Sequence, residues 1–548
     1  MAEAELSALE KAVLGRFFSR TEPRDHADVY LVRKLPQEIR ATLNGLYSRS
    51  HLSMRGTFLK RLVQGLTEAG KQLKDFSLPD ASEDVLGDLL VDRSGKFLRT
   101  YAIDHGHNSL REGAVCHLAI ENVSQLVTRF LQRERRASFE ESSTRYISFS
   151  KEGHWIDPEI VRAGGAVETA YRTALAESFA FYQESIDLLR DGIRKKRPRK
   201  ASEDEKAYER SVRAEAFDSA RYLLTPALYT KFGLVCDART LADLITQLVS
   251  HPLEEFRIVG ARLREEGERD VPTLLTHAKR NTYLETTEPT LSQLCDELGV
   301  SSEIDHQPRE AEQHVRLLSA PPGLDEALLA SALFEHSDVS MAELLARVRA
   351  LDGAERQALL AQCLDSRGPR DAMPEGFEGG GMLDFEILMD FGAYRDVARH
   401  RKGFQQQQRL TTAHGFVVPP LFDACGLGDR YRAVMSSAAE HAARVANNFP
   451  LQSQYLIPFG YLQRVRVSFD PRQMAYFCEL RSQPDGHFSY RDIAIRMGHA
   501  LRDVAPLFAE WVRVCEDEVF LGRVSTELAS DARRAQREQR AKGLGFET

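Results

Sequence analysis

Cysteine is scarce in this sequence, with seven residues at 116, 236, 295, 363, 425, 478 and 515 of 548. They are scattered, with no Cys-x-x-Cys pair and no histidine at ligand spacing, which excludes a disulfide framework and a zinc site and leaves reduced thiols. No metal is expected. Long apolar runs are missing too: none approaches the roughly 20 residues that a membrane span needs. An excess of positive charge is also absent. The net charge of -8 argues against wholesale nucleic-acid binding, leaving only a local patch to consider. That patch is Arg194-Lys-Lys-Arg-Pro-Arg-Lys200, followed at once by Ser202-Glu-Asp-Glu-Lys206. Like charge beside its opposite reads first as a solvated loop and second as a nucleic-acid contact. The stretch Met1 to Phe18 is charged and amphipathic, unlike a signal peptide, so a soluble cytoplasmic protein is expected.

What is present is the composition of an ordinary globule, 43% apolar and 28% charged, in a chain long enough for two to four domains. Two segments match each other. Ala220 to Leu241 and Ser453 to Met474 each carry a proline, a strand-like run, an aspartate and a helical pattern. Asp237 and Arg239 correspond to Asp470 and Arg472 at an offset of 233. Val465, Val467 and Phe469 alternate with Arg464, Arg466 and Ser468, the period of a half-buried strand. Asp470-Pro471 then starts a helix as N-cap and first helical residue, and Met474, Phe477, Cys478 and Arg481 share a face. Tyr171, Leu175, Phe179, Tyr182, Ile186 and Leu189 predict another amphipathic helix. Residues 118–130 fit strand or helix equally. Gly376 to Gly381 reads as a loop, and Arg533 to Lys542 as a frayed helical tail.

The run Arg133-Glu-Arg-Arg-Ala-Ser-Phe-Glu-Glu-Ser-Ser-Thr-Arg-Tyr146 sets guanidinium donors beside acceptors, a combination that suits a phosphate on one side and a polar ring edge on the other. It has an echo in Arg399-His400-Arg401 at an offset of 266, not 233. The two offsets differ by 33 residues, so the first copy holds extra chain between its halves.

These motifs resemble the flavin-dependent thymidylate synthases. That family carries Arg-His-Arg, seven residues, then Ser-x-Arg-Tyr; here Arg133-Glu134-Arg135 is followed after seven residues by Ser143-Thr144-Arg145-Tyr146. Its Gly-His-x-Ser/Thr-x-x-Glu segment is matched by Gly106-His107-Asn108-Ser109-Leu110-Arg111-Glu112, and its Ala-Arg stretch by Ala220-Arg221. The resemblance implies an α+β fold: two tandem copies of one unit, long helices packed on a mostly antiparallel sheet. The expected layout is an N-terminal helical extension (1–27), a first repeat (28–270), a linker (271–313), a more divergent second repeat (314–520) and a charged tail (521–548).

It also implies reductive methylation of dUMP to dTMP, with FAD, NADPH and methylenetetrahydrofolate. Glu141, Ser143, Thr144, Arg145 and Arg221 would hold dUMP. His107, Ser109, Glu112, Arg133, Arg135, Arg399, His400, Arg401 and Asp470 would hold FAD, and Arg481 would polarise the uracil carbonyl. The family's tetramer would be imitated by a homodimer of duplicated chains. The departures are complementary. The first copy has Glu134 for the histidine, Phe130 for a usual glutamine and Leu248 for the uracil-contacting arginine. The second keeps Arg399-His400-Arg401 and Arg481, but has Arg409 in place of the serine and Gln454 in place of the Ala-Arg arginine. One composite site shared between the copies is therefore expected, with its pseudo-equivalent decayed. The alternatives are a flavoenzyme for another pyrimidine nucleotide and a non-catalytic flavin- or nucleotide-binding homologue. Residue by residue, plainer roles stand beside these: loop ties for Ser143 and Arg145, an internal salt bridge for Glu134, N-caps for Asp237 and Asp470, and a structural hydrogen bond for His107.

Overall fold

The computed structural model describes residues 6–24, 27–48, 50–75, 90, 93–145, 147, 149, 153–300, 304–309, 314–517 and 520–543; Tyr146 and the end of the expected linker, 310–313, lie outside them. Residues 118–130 are both strand and helix: β1 (Val115–Ser124) runs directly into the helix Gln125–Leu131. With β2 (Ser138–Glu141) and β3 (Tyr229–Asp237) it forms a sheet of order β1-β3-β2, in which β2 and β3 are antiparallel. The second sheet contains β4 (Val315–Ser319), β5 (Leu383–Asp390), β6 (Phe404–Gln407) and β7 (Leu462–Phe469) in the order β4-β5-β7-β6, every pair antiparallel. Apart from the added edge strand β4, the two sheets have one order, and each first strand is followed at once by a seven-residue helix, Gln125–Leu131 or Phe391–Val397. The fold is thus a duplicated α+β unit.

Local chemistry sets these elements. Val465, Val467 and Phe469 of β7 are buried, while Arg464 and Arg466 on the other face pair with Glu386 and Asp384. Asp237 and Asp470 are N-caps: their side chains accept from Thr240 N and Gln473 N, each at 2.8 Å. The predicted amphipathic helix spans Gly165–Lys196 and buries Tyr171, Leu175, Tyr182, Ile186 and Leu189. At 32 residues it exceeds its counterpart Gly428–Ala446 (19 residues), and the helix after it, Glu205–Ala220, has 16 residues against four in Pro450–Ser453. Longer helices therefore supply most of the extra chain. The basic run closes this hairpin: Arg194 pairs with Glu209 at 2.7 Å and Arg197 with Glu203 at 2.8 Å.

The chain divides into two compact units that cut across the repeats. One contains Met1–Val123, Phe130–Glu141 and Lys231–Ser302; the other contains Ser124–Arg129, Ser142–Thr230 and Glu303–Thr548. In the first, the helix Ala8–Phe17, started by a Ser7/Glu10 capping box, lays Phe17 and Phe18 against Phe58 with ring centroids 5.3 and 5.5 Å apart. The first part of the expected linker belongs to this core, where Val271, Leu274 and Leu275 are buried and Glu38 accepts from Thr273 N at 2.7 Å. The remainder of the linker carries the helix Thr282–Glu297, which buries no residue.

The second unit contains the whole of the second repeat and residues 124–129 and 142–230 of the first. The turns that lead into β3 and β7 are joined reciprocally: Gly460 N donates to Tyr222 O at 3.0 Å, and Ala227 N donates to Tyr455 O at 3.1 Å. Both residue pairs, 222/455 and 227/460, are related by the offset of 233, so the bonds obey an internal two-fold, as in an isologous dimer. The long helices pack antiparallel, tied by Arg430–Glu184 and by Ser437 to Glu177 at 2.6 Å. Residues 375–380 form a 3₁₀ turn instead of an open loop, because Gly376 must lie against the helix Leu324–Phe334, where a Cβ would sit 2.6 Å from Ala332 Cα. The tail is the helix Gly522–Gly543, and it is docked at its start, where Leu521, Arg523 and Val524 are buried.

Candidate active site

All of the following geometry lies within the second unit. Asp390 ends β5 and caps the helix Phe391–Val397 by accepting from Ala393 N at 2.6 Å. That helix holds Arg395 and Asp396, and the turn after it holds Arg399, His400 and Arg401. Helix Pro471–Arg481 brings Gln473 and Arg481 to the same turn. Arg481 Nε donates to His400 Nε2 at 2.8 Å and its Nη2 donates to Asp396 O at 2.9 Å. The ring proton of His400 therefore sits on Nδ1, which faces the Gln473 amide nitrogen at 3.0 Å; with the amide turned over, its oxygen accepts that proton. Burial, reinforced by Arg481, lowers His400 to about 3, so it is neutral and acts as an acceptor.

The first repeat contributes the loop after β2 and the end of the helix Glu205–Ala220. Arg145 forms a two-pronged pair with Asp218, Nε to Oδ1 at 2.6 Å and Nη2 to Oδ2 at 2.7 Å. Ser143 Oγ accepts from Arg145 N at 3.2 Å, and Thr144 Oγ1 accepts from Arg395 Nη1 at 2.9 Å. Arg221, buried, reaches Asp396 Oδ2 with Nη1 at 3.4 Å and Nη2 at 3.3 Å, while its Nε is buried without a hydrogen bond.

The ring of Tyr490 joins the two sets. Arg481 lies 5.3 Å from its centroid, Arg145 lies 6.0 Å from it, and Arg145 Nη1 is 3.4 Å from its hydroxyl. Arg523 of the tail helix adds a guanidinium on Asp218. Burial works to raise Asp218 and Asp396, but Arg145 and Arg523 hold the first far down, and Arg221 foremost holds the second at about 2. Among the described residues, the hydrogen bonds of Arg481 go to neutral acceptors, His400 Nε2 and Asp396 O, and its guanidinium lies over the Tyr490 ring. The cluster therefore keeps cationic character that suits an anion beside an aromatic face.

Of the residues singled out in the sequence, Ser143, Thr144, Arg145, Arg221, His400 and Arg481 are brought together. Arg399 and Arg401 are exposed on either side of buried His400. Asp470 caps its helix, with Lys402 3.8 Å from its carboxylate. The other candidates lie in the first unit. Glu141 accepts from Gln132 at 3.0 Å; exposed Arg133 lies 5.0 Å over Phe130; Arg135 is partly buried. His107 and Ser109 are exposed, His107 within 6.4 Å of the Tyr101 and His105 rings, and Glu112 pairs with Arg239 at 2.7 Å. Glu134 is the internal salt bridge, made to Arg136 at 3.0 Å.

Sequence reasoning missed Asp218, Asp396, Tyr490 and Arg523. The two aspartates had a signal, since each stands three residues before an arginine already singled out, Arg221 or Arg399. Tyr490 and Arg523 had none, because only packing of distant helices delivers them.

The family profile described as "Thymidylate synthase complementing protein" matches residues 67–273 and 353–507. The chain belongs to this family. The two matched segments fall on the two repeats. A UPF0159 protein of Chlamydia muridarum is 28% identical over 536 residues, covering 96% of this chain and 98% of that protein. Another of that name from Thermoplasma acidophilum is 26% identical over 80% of this chain and 93% of its own length. A flavin-dependent thymidylate synthase of Clostridium tetani is 26% identical over 201 residues, 36% of this chain and 76% of that enzyme. Among solved structures, a UMP/dUMP methylase, PolB from Streptomyces cacaoi, bound with 5-Br dUMP, aligns at a TM-score of 0.30 and 16% identity, covering 37% of this chain and 96% of its own. The family profile, matched in two segments, and the similarity to a flavin-dependent thymidylate synthase describe a thymidylate synthase-like protein with its family unit present twice.

Proposed function

We propose that this chain reductively methylates dUMP to dTMP with FAD, NADPH and methylenetetrahydrofolate, at a site to which both repeats contribute. The observation that carries the reading is the meeting of Arg145 and Arg221 from the first repeat with His400 and Arg481 from the second around Tyr490 and Asp396. Arg145 and Arg221 are cationic donors for the phosphate, with Ser143 ordering the Arg145 loop. Tyr490 offers a flat face for the pyrimidine. Arg481, oriented by His400, is placed to stabilise charge developing at the uracil carbonyl. Removing such a donor costs about 3 to 4 kcal/mol in the transition state.

The residues present fit FAD through their donor chemistry: Arg399 and Arg401 are exposed cations flanking a buried turn, suited to the phosphates. His400, with both ring nitrogens engaged, holds Arg481 and has no nitrogen left for the flavin. Bound and reduced by NADPH, FAD would supply hydride, the folate giving the carbon and leaving as tetrahydrofolate. His107, Ser109, Glu112, Arg133, Arg135 and Glu141 stand as further ligands, and a homodimer as the assembly.

One observation favours a second reading, a homologue that binds flavin and nucleotide without turnover: the Arg145 fork is already occupied by Asp218. Tritium release from 5-labelled dUMP with folate and NADPH separates the two. Release by the wild type, abolished in Arg145→Ala and Arg481→Ala, is expected. A yellow protein without release supports the binding homologue, and full activity in both variants places the site elsewhere.

A further inference from the structure

Arg523 lies on the tail helix, outside both segments matched by the family. It is nevertheless buried, at 4% exposure, and its Nη1 donates to Asp218 Oδ2, the oxygen that also accepts from Arg145 Nη2. Its Nε donates to Glu527 at 2.8 Å. Asp218 thus faces two guanidiniums; Glu527 takes part of the Arg523 charge, and the rest of it competes with Arg145 for Asp218. Arg145, pulled by Asp218 alone, would be a closed ion pair with little left for a ligand. With Arg523 sharing that carboxylate, Arg145 stays oriented by its two hydrogen bonds yet remains cationic on the side where Nη1 faces Tyr490.

We infer that Arg523 is a positioning residue of the anion site, tuning Arg145 through Asp218 for the phosphate of a nucleoside monophosphate. This rests on the nucleotide reading given above. A simpler role, docking of the tail helix, makes a different prediction. The helix has a second tie, Arg210 to Asp531 at 2.7 Å, which does not touch Asp218. If docking is all that matters, any loss of dUMP binding follows the loss of thermal stability, whichever tie is broken.

The test is calorimetric titration of the full-length, as-purified protein with dUMP, alongside flavin absorbance and thermal melts. Arg523→Gln should weaken dUMP binding about tenfold. Arg523→Lys should restore most of it, and Arg210→Gln should leave it unchanged, with flavin content constant throughout. Wild-type affinity in Arg523→Gln overturns the inference. So does equal weakening in Arg210→Gln, or a lysine variant no better than the glutamine. If Arg523→Gln does not fold, Glu527→Gln carries the test with the opposite sign, because it leaves Arg523 more cationic toward Asp218. Tighter dUMP binding supports the inference, and unchanged or weaker binding overturns it. Wild-type protein that binds no dUMP overturns the proposed function itself, and this inference with it.

Discussion

At the scale of single residues, the cluster is a problem of burying charge. Guanidiniums and carboxylates leave water here because Asp218 and Asp396 each meet at least one guanidinium, while Arg481 leans on a neutral histidine and a carbonyl. Titration follows. Burial foremost lowers His400 and His487 to about 3 and His154 and His306 to about 4, against about 6.5 in an unfolded chain. Their stabilising contribution is complete above about 6.5 and is lost as pH falls toward these folded values. Glu215, whose Oε2 is buried without a hydrogen bond, has the opposite sign. Burial first, then Asp218 and Glu527, raise it to about 7 against the opposing pull of Arg523 and Arg145. Its contribution is complete below about 4.5 and is lost as pH rises through 7. In urea unfolding, Glu215→Gln should therefore match the wild type near pH 4.5 and exceed it by about 3 kcal/mol near pH 8. A gap independent of pH would remove Glu215 as its source.

Secondary-structure elements carry the difference between the copies. The helices begun by Asp237 and Asp470 are capped alike, but one has buried Leu248 in its last turn where the other ends on Arg481. Removing either cap should cost about 1 kcal/mol in denaturant unfolding. Only Asp470→Ala should also weaken dUMP binding, since its helix sets Gln473 and Arg481 against His400. Asp237→Ala should bind as the wild type does. Equal binding losses in both would mean that global stability, and not the orientation of Arg481, controls the site. The amphipathic helices and β7 were legible because their period exceeds the noise of local composition. The segment 118–130 was not, since a strand that passes into a helix without a turn residue leaves no boundary signal.

For the whole molecule, duplication creates two pseudo-equivalent sets of positions, and only one keeps the arginines and aspartates on which the proposed site depends. Where one has Arg145, Asp218, Arg221, Asp396, His400 and Arg481, the offsets 266 and 233 place Thr411, Leu451, Gln454, Phe130, Glu134 and Leu248 in the other. Phe130 packs in an apolar cluster, with ring centroids 5.4 Å from His251 and 5.3 Å from Phe256, and Glu134 pairs with Arg136. A set without its charges does not retain a phosphate. Saturation with dUMP should therefore occur at one nucleotide per chain; two equivalent sites per chain would contradict the decay of the second set.

The sequence alone determined the duplication, the family and the arginines, because each is written in local spacing: paired motifs at two offsets, a serine that follows an arginine after seven intervening residues, a proline behind a capping aspartate. It also showed that each copy lacked what the other kept. What it left undecided were the partners. That Asp218 would claim Arg145, that Tyr490 would stand between Arg145 and Arg481, and that a charged tail would bury Arg523 depend on helices hundreds of residues apart meeting in one core. Burial, which decides whether a charge is solvated or must find a counterpart, is a property of that packing and of no local stretch of chain.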